Sequence, residues 1–307
     1  MVVVVALMSG TLGVPNRALI GMGFTSMDVP LTRLLFSTLA LAVLVIVVDK
    51  GRLNLRRRDI PLLILFGVFK FLSDLANFNA QLSVSLSLAA LLQMMCPVYV
   101  MILSLFIFKE RITLQKLSAM FMAFVGCILV TGVLFENEGA AFEGMLCAML
   151  SGLFLGLYSI GSKMTLDRGY SAIGAMFLLF LTATVVSIPF ADAPKVICAV
   201  GNVDALTQMI LLSIVLTFIP YLADIVAMKH ISATAVTMIT CLKIVSAAVV
   251  GYILYNEHIS HLNLIGMALV IGSVIVMNVK LHEMAVRYRT KRPVKTDVET
   301  CCDESNT

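Results

Sequence analysis

Tryptophan is absent from the 307 residues, and only 13% of them are charged, against ~25% in ordinary soluble domains. Too few charges remain to coat a water-facing surface, so a soluble globular fold is excluded. The two-residue alternation of a transmembrane β-barrel is also missing. No H-E-x-x-H, G-x-S-x-G or Walker loop occurs, so zinc hydrolysis, nucleophile-elbow chemistry and ATP-driven pumping are not indicated. The four histidines lie outside the apolar centres, which removes the usual bases for intramembrane chemistry. No C-x-x-C spacing joins Cys96, Cys127, Cys147, Cys198, Cys241, Cys301 and Cys302, so neither a disulfide framework nor a metal site is expected, and no cofactor. Cys301-Cys302 would be a palmitoylation site only in a eukaryote. The start, Met-Val-Val-Val-Val, lacks a basic region and a small-residue cleavage site, and reads as a first membrane span rather than a signal peptide.

Hydrophobic residues make up 60% of the chain, and mean hydropathy is +1.01. Apolar runs recur at 2–22, 30–48, 60–82, 86–108, 114–134, 142–163, 171–191, 205–228, 233–255 and 262–280. Each is near the ~20 residues a helix needs to cross about 30 Å of hydrocarbon. Ten transmembrane helices in an all-α integral membrane fold are therefore expected. Basic residues fall on alternate loops, at Lys50, Arg52, Arg56 to Arg58, Lys109, Arg111, Lys116, Lys163, Arg168 and Lys229, with six more from Lys280 to Lys295. The opposite loops carry Lys195 among Asp28, Glu136, Glu138, Glu143, Asp192, Asp204 and Glu257. Both termini are thus predicted to be cytoplasmic in a multi-pass cell (plasma or inner) membrane protein. The net charge of +4 reflects that sidedness, not nucleic-acid binding. Residues 281–307 read as a disordered cytoplasmic tail whose basic part meets anionic lipid headgroups.

The chain repeats itself. A shift of 147 lays residues 62–118 on 209–265, where Leu65, Val68, Phe71, Leu75, Ala76, Ala80, Ser85, Val98, Glu110, Ile112 and Leu117 meet identical residues. Polar positions coincide too: Lys70, Asp74, Asn77 and Gln81 fall on Thr217, Tyr221, Asp224 and Met228, and Thr113 on Ser260. Ala6-Leu-Met-Ser-Gly10 and Ala148-Met-Leu-Ser-Gly152 open the two halves with small residues that let helices approach closely. Five spans per copy is odd, so the second copy enters from the other side: two inverted five-helix repeats, 1–135 and 142–280.

The span order, Arg33 early in the second span, the turn Ser83-Val-Ser-Leu-Ser87, Pro97 in the fourth span, and Lys109-Glu-Arg-Ile-Thr113 before a Gly-containing fifth resemble the EamA-type branch of the drug/metabolite transporter superfamily. Tyr255-Asn-Glu-His-Ile-Ser260 is the matching turn in the second copy. The resemblance runs to about residue 280. Departures are the missing Trp and the charges Lys70, Asp74 and Lys243 at depth. The resemblance implies secondary transport, often export, of small metabolites such as amino acids or organic anions, and leaves the substrate open.

Lys70, Asp74, Asn77 and Gln81, spaced four, three and four apart, line one helix face. A deep ionisable group costs at least ~2.5 kcal/mol without partners or water, so the stripe should face the bundle interior, with Thr217, Tyr221 and Asp224 opposite. A cavity lining and a mutually neutralising Lys70–Asp74 pair both fit. Lys243, with Thr240 and Ser246 a turn to either side, needs a counter-charge or an anionic ligand. An Asp224–Lys243 pair at the substrate site and a permanent structural pair are the alternatives. Arg17 and Arg33 either snorkel or turn inward. Turned inward with Lys70 and Lys243, they outnumber Asp74 and Asp224 by two, favouring an anionic or zwitterionic substrate. Asp74 and Asp224 are the candidates for proton coupling.

Glu110 and Glu257 precede Thr113 and Ser260, suitable N-caps, and read as helix-terminus residues. His258 and His261 lack a third ligand and read as solvated. The leading expectation is a secondary transporter using alternating access, with Arg33, Lys70, Asp74, Asn77, Gln81, Tyr221, Asp224, Thr240 and Lys243 lining the substrate site. A non-transporting membrane sensor or scaffold is the alternative. An enzyme is not expected.

Overall fold

A computed structural model describes residues 2–25, 27–48, 56–84, 86–110, 113–131, 142–199, 201–255 and 260–290. Within these every regular element is a helix: α1 (Val2–Ser9), α2 (Gly13–Gly21), α3 (Asp28–Val48), α4 (Ile60–Ser83), α5 (Leu86–Gln93), α6 (Cys96–Ile107), α7 (Leu114–Thr131) and α8 (Phe142–Asp167), then α9 (Ala172–Ser187), α10 (Ala193–Ala199), α11 (Val203–Ile210), α12 (Ile219–Ala227), α13 (Ala233–Ile239), α14 (Leu242–Tyr255) and α15 (His261–Thr290). Among the described residues, seven helical runs are long and apolar enough to cross a membrane, and Leu114–Val130 and His261–Met277 are shorter apolar helices. Helix α15 continues past residue 280 to Thr290. Cys301, Cys302, Glu257, His258 and the remainder of the tail lie outside the described residues.

Large apolar side chains such as Phe106, Phe121, Val43 and Ile253 point outward, the arrangement of a bundle solvated by lipid. Serine, threonine and charge turn inward. Ser151, Ser162, Ser213, Thr217 and Lys70 are fully buried. Helices from the two halves interleave: α4 packs on α8 and α9, α3 on α9 and on the segment after α11, α1 on α14, and α7 on α15. Close approach of α7 and α15 depends on glycine. A Cβ on Gly126 would sit 2.9 Å from the Gly266 carbonyl, and one on Gly266 2.7 Å from that of Gly126.

Several helices are interrupted where the sequence predicts continuous spans, and each interruption has a local cause. Proline lacks an N–H and displaces the carbonyl four residues earlier. Pro97 thus frees Gln93, and the helix breaks at Met94-Met95 between α5 and α6. Pro15 frees Thr11, within the 3₁₀ turn Gly10–Leu12. Pro220 frees Leu216, and Leu211–Phe218 winds as a π-helix. At Thr240-Cys241, between α13 and α14, side chains compete for the carbonyls instead. There Thr240 Oγ1 donates to the Thr237 carbonyl at 2.7 Å, and Cys241 Sγ to the same oxygen at 3.7 Å.

The serine-rich turn ends α4 at Ser83, and Lys229 to Ser232 separates α12 from α13, whose first turn Ser232 caps through the Ala235 N–H. Thr113 accepts from the Lys116 N–H at 3.3 Å, and Glu110 pairs with Lys116 Nζ at 2.9 Å. Thr113 thus caps α7 as read from the sequence, while Glu110 binds a side chain of that first turn instead of its backbone.

A buried ionic core at the helix breaks

Arg33 lies one turn into α3 and turns inward. It is 7% exposed; its Nε donates to Thr217 Oγ1 at 3.2 Å, and its guanidinium stands 4.0 Å from Asp74. Thr217 is held in place by the π-helix, which lets its hydroxyl donate to the Leu212 carbonyl five residues back at 2.7 Å. Lys70, near the middle of α4, has no exposed surface and gives two hydrogen bonds to Asp74, at 2.8 and 2.7 Å. Its ammonium also lies 4.7 Å from the Tyr221 ring centre and 5.8 Å from that of Phe180, a cation–π contact strengthened by the dry surroundings. The sequence pairing of Lys70 with Asp74 is therefore present in the fold, joined by Arg33 as a third charge. Two cations face one carboxylate there.

Asn77 and Gln81 continue the α4 face and are half-buried, with no side-chain hydrogen bond to this core among the described residues. Nothing is described of the Arg17 side chain.

Lys243 follows the α13–α14 break, its N–H bonded to the Thr240 carbonyl at 3.1 Å. The charged side chains that act on it are Arg33 and Asp224. Asp224 and Lys243 are both half-buried, yet no ion pair within 4.0 Å joins them among the described residues. They are opposed charges with a gap between, not a closed salt bridge. Ser246 turns to α1, donating to the Leu7 carbonyl.

The two helix breaks are equivalent. The 147-residue shift carries Met94-Met95 to within one residue of Thr240-Cys241, and sets Cys96, the first residue of α6, on Lys243. Each break is approached by a glycine from the other half. A Cβ on Gly152 would meet the Gln93 carbonyl at 2.9 Å, and one on Gly10 the Lys243 carbonyl at 2.6 Å. These are the glycines of the paired Ala-x-x-Ser-Gly stretches. Two short helices, α6 and α14, thus begin inside the bundle with the positive ends of their dipoles there.

Sequence comparison decides the family. The EamA-like transporter family matches residues 1–132 and 142–279. The chain belongs to the EamA-like transporter family. Two relatives of this EamA-like protein come from Archaeoglobus fulgidus, each described as an uncharacterized transporter. One is 26% identical over 288 residues, covering 90% of this chain and 94% of the relative. The other is 22% identical over 226 residues, covering 73% and 79%. A solved crystal structure superposes with a TM-score of 0.70 at 16% identity over 92% of this chain and 97% of that one, which shows a shared fold. The EamA-like chain is a multi-pass membrane transporter, not an enzyme, acting on a small molecule within the lipid bilayer.

Sequence reasoning found the charged members of the core and missed Tyr158 and Phe180. Tyr158 packs edge-on to Phe180 and Tyr221, with ring centres 6.3 and 5.8 Å away. A tyrosine in mid-span was the available signal, because a phenol hydroxyl in hydrocarbon needs a partner. Ser73 and Ser151, which tie α4 to α8 at 2.9 Å, carried no such signal.

Proposed function

We propose that the chain is a ten-helix secondary transporter of two inverted five-helix repeats, 1–135 and 142–280, that exports small metabolites such as amino acids or organic anions. In this reading both termini are cytoplasmic, the membrane is the cell membrane, and substrate binds by alternating access between the repeats. The observation that carries it is the pair of matched helix breaks, with Lys243 at one of them and Asp224 of opposite charge near it, joined by no ion pair within 4.0 Å among the described residues. Discontinuous helices at corresponding positions of two repeats are the usual place for a transporter to hold substrate. Two helix N-termini, Lys243, Arg33 and Lys70 supply more positive than negative potential around Asp74 and Asp224, which supports an anionic or zwitterionic substrate.

The test is counterflow in proteoliposomes with amino acids, organic acids, sugars and nucleotide-linked metabolites. Exchange of an acid or amino acid, lost in a normally folded Lys243→Met variant, is the expected result. Exchange of organic cations alone would remove the charge assignment, and full exchange by Lys243→Met would take Lys243 out of the site.

A further inference from the structure

Tyr158 sits mid-way along α8, 3% exposed, in an edge-to-face cluster with Phe180 and Tyr221. Among the described residues no protein group hydrogen-bonds to its hydroxyl. The Ser162 hydroxyl is its polar neighbour and stands beyond the 3.5 Å of a hydrogen bond. Ser162 donates to the Tyr158 backbone carbonyl at 2.9 Å, Lys70 gives its hydrogen bonds to Asp74, and Arg33 Nε binds Thr217. A buried phenol left without a partner is destabilising, and phenylalanine would fill the same ring packing without that cost. The hydroxyl is therefore available to a partner that is not part of the fold.

Its position says what kind of partner. Tyr158 packs on Tyr221 at 5.8 Å, and the Tyr221 ring faces Lys70 Nζ at 4.7 Å and precedes Asp224 by three residues on α12, so Tyr158 adjoins the Arg33–Lys70–Asp74 core on the side where Asp224 stands. A phenol is a better donor than acceptor, so the partner it favours is an acceptor. Arg33, Lys70 and Lys243 outnumber the two carboxylates, so an acceptor oxygen carrying negative charge is favoured there. We propose that the Tyr158 hydroxyl binds the substrate directly, donating a hydrogen bond to a carboxylate oxygen of an organic acid whose body packs on the Tyr158, Phe180 and Tyr221 rings. This assignment rests on the transport reading above.

Tyr158→Phe tests it, because the variant keeps the ring and removes one oxygen. The probes are lactate, succinate and L-glutamate, measured by thermal unfolding of purified protein and by counterflow. Without added acid, Tyr158→Phe should unfold at the same temperature as the parent or higher. With acid, the stabilisation seen in the parent should be lost, and the apparent KM in counterflow should rise on the order of tenfold or more, as for a hydrogen bond to a charged group. A fall in unfolding temperature without acid would make the hydroxyl part of the fold and overturn the assignment. So would equal stabilisation of both proteins by acid, or no stabilisation of the parent by any of the three. Exchange of a neutral or cationic solute, unaltered by Tyr158→Phe, would reject this subsite while leaving the transport reading standing. Absence of flux for every solute class would reject that reading itself.

Discussion

At the scale of single residues, Lys70 and Asp74 differ from Asp224 and Lys243 although both sets are charges of opposite sign inside one bundle. Lys70 is closed on Asp74 by two short hydrogen bonds with no exposed surface, so the pair is already satisfied and its removal should be felt by the fold. Asp74→Asn leaves Lys70 and Arg33 buried without a carboxylate, which should cost about 3–5 kcal/mol. Replacing both partners, Lys70→Met with Asp74→Leu, should recover most of that loss, and thermal unfolding of the purified variants measures both. Asp224 is half-buried and makes no direct ion pair among the described residues, so Asp224→Asn should fold normally. If Asp224 also carries the coupling proton, that variant should still exchange substrate in counterflow but no longer respond to an imposed pH gradient. A surviving response would take Asp224 out of the coupling step.

At the scale of elements, the π-helix Leu211–Phe218 is what aims Thr217 at Arg33. Its extra residue per turn is tolerated because Pro220 has removed the competing α-helical bond to Leu216. Pro220→Ala restores that donor and lets the segment relax toward α-geometry, which rotates Thr217 away from Arg33. The expected outcome is an unfolding temperature equal to or above that of the parent, with apparent affinity in counterflow weakened on the order of fivefold, the value of about 1 kcal/mol for one hydrogen bond. Unchanged affinity would mean that Arg33 does not need Thr217 for its position. The sequence carried the cause of this feature, since Pro220 is plain to read, but not its outcome. A proline in a span predicts a kink, a break or a π-turn equally, and packing against α3, where Ser37 Oγ donates to the Ser213 carbonyl at 2.8 Å, selects among them. The same limit applies elsewhere. Turns at Ser83 and Lys229 and the inward stripe of α4 were legible from serine clusters and charge spacing, which act locally. The break at Thr240-Cys241 was not, because threonine is common in unbroken helices and only the approach of Gly10 from the other half makes that bend useful. The inward turn of Arg33 likewise depends on Thr217, 184 positions away.

At the scale of the whole molecule, the ionic core lies between two polar clusters that each tie the halves together at opposite ends of the run Ala172–Phe190. At the end rich in Arg and Lys, Asp59 receives Arg168 and the Tyr170 hydroxyl, the latter at 3.0 Å, while the Arg56 N–H donates to Tyr170 at 3.1 Å. At the other end Asp28, 1% exposed, accepts the Asp192 N–H at 3.1 Å and stands 3.6 Å from Lys195, whose Nζ also donates to the Gly23 carbonyl. If access alternates, opening one end should require its own cluster to part while the other holds. Arg168→Gln should therefore raise labelling of a Lys163→Cys reporter by a membrane-impermeant maleimide from the basic side, and lower labelling of an Ala191→Cys reporter from the opposite side. Lys195→Gln should do the reverse, in a Cys198→Ser background that removes the exposed native thiol near that end. Because each cluster is partly exposed to water, the shift should be modest, set by about 1 kcal/mol or less for an exposed ion pair, and should shrink in high salt. Labelling that rises at both ends together would mean that the clusters brace the bundle instead of gating it, and the two ends would then open independently.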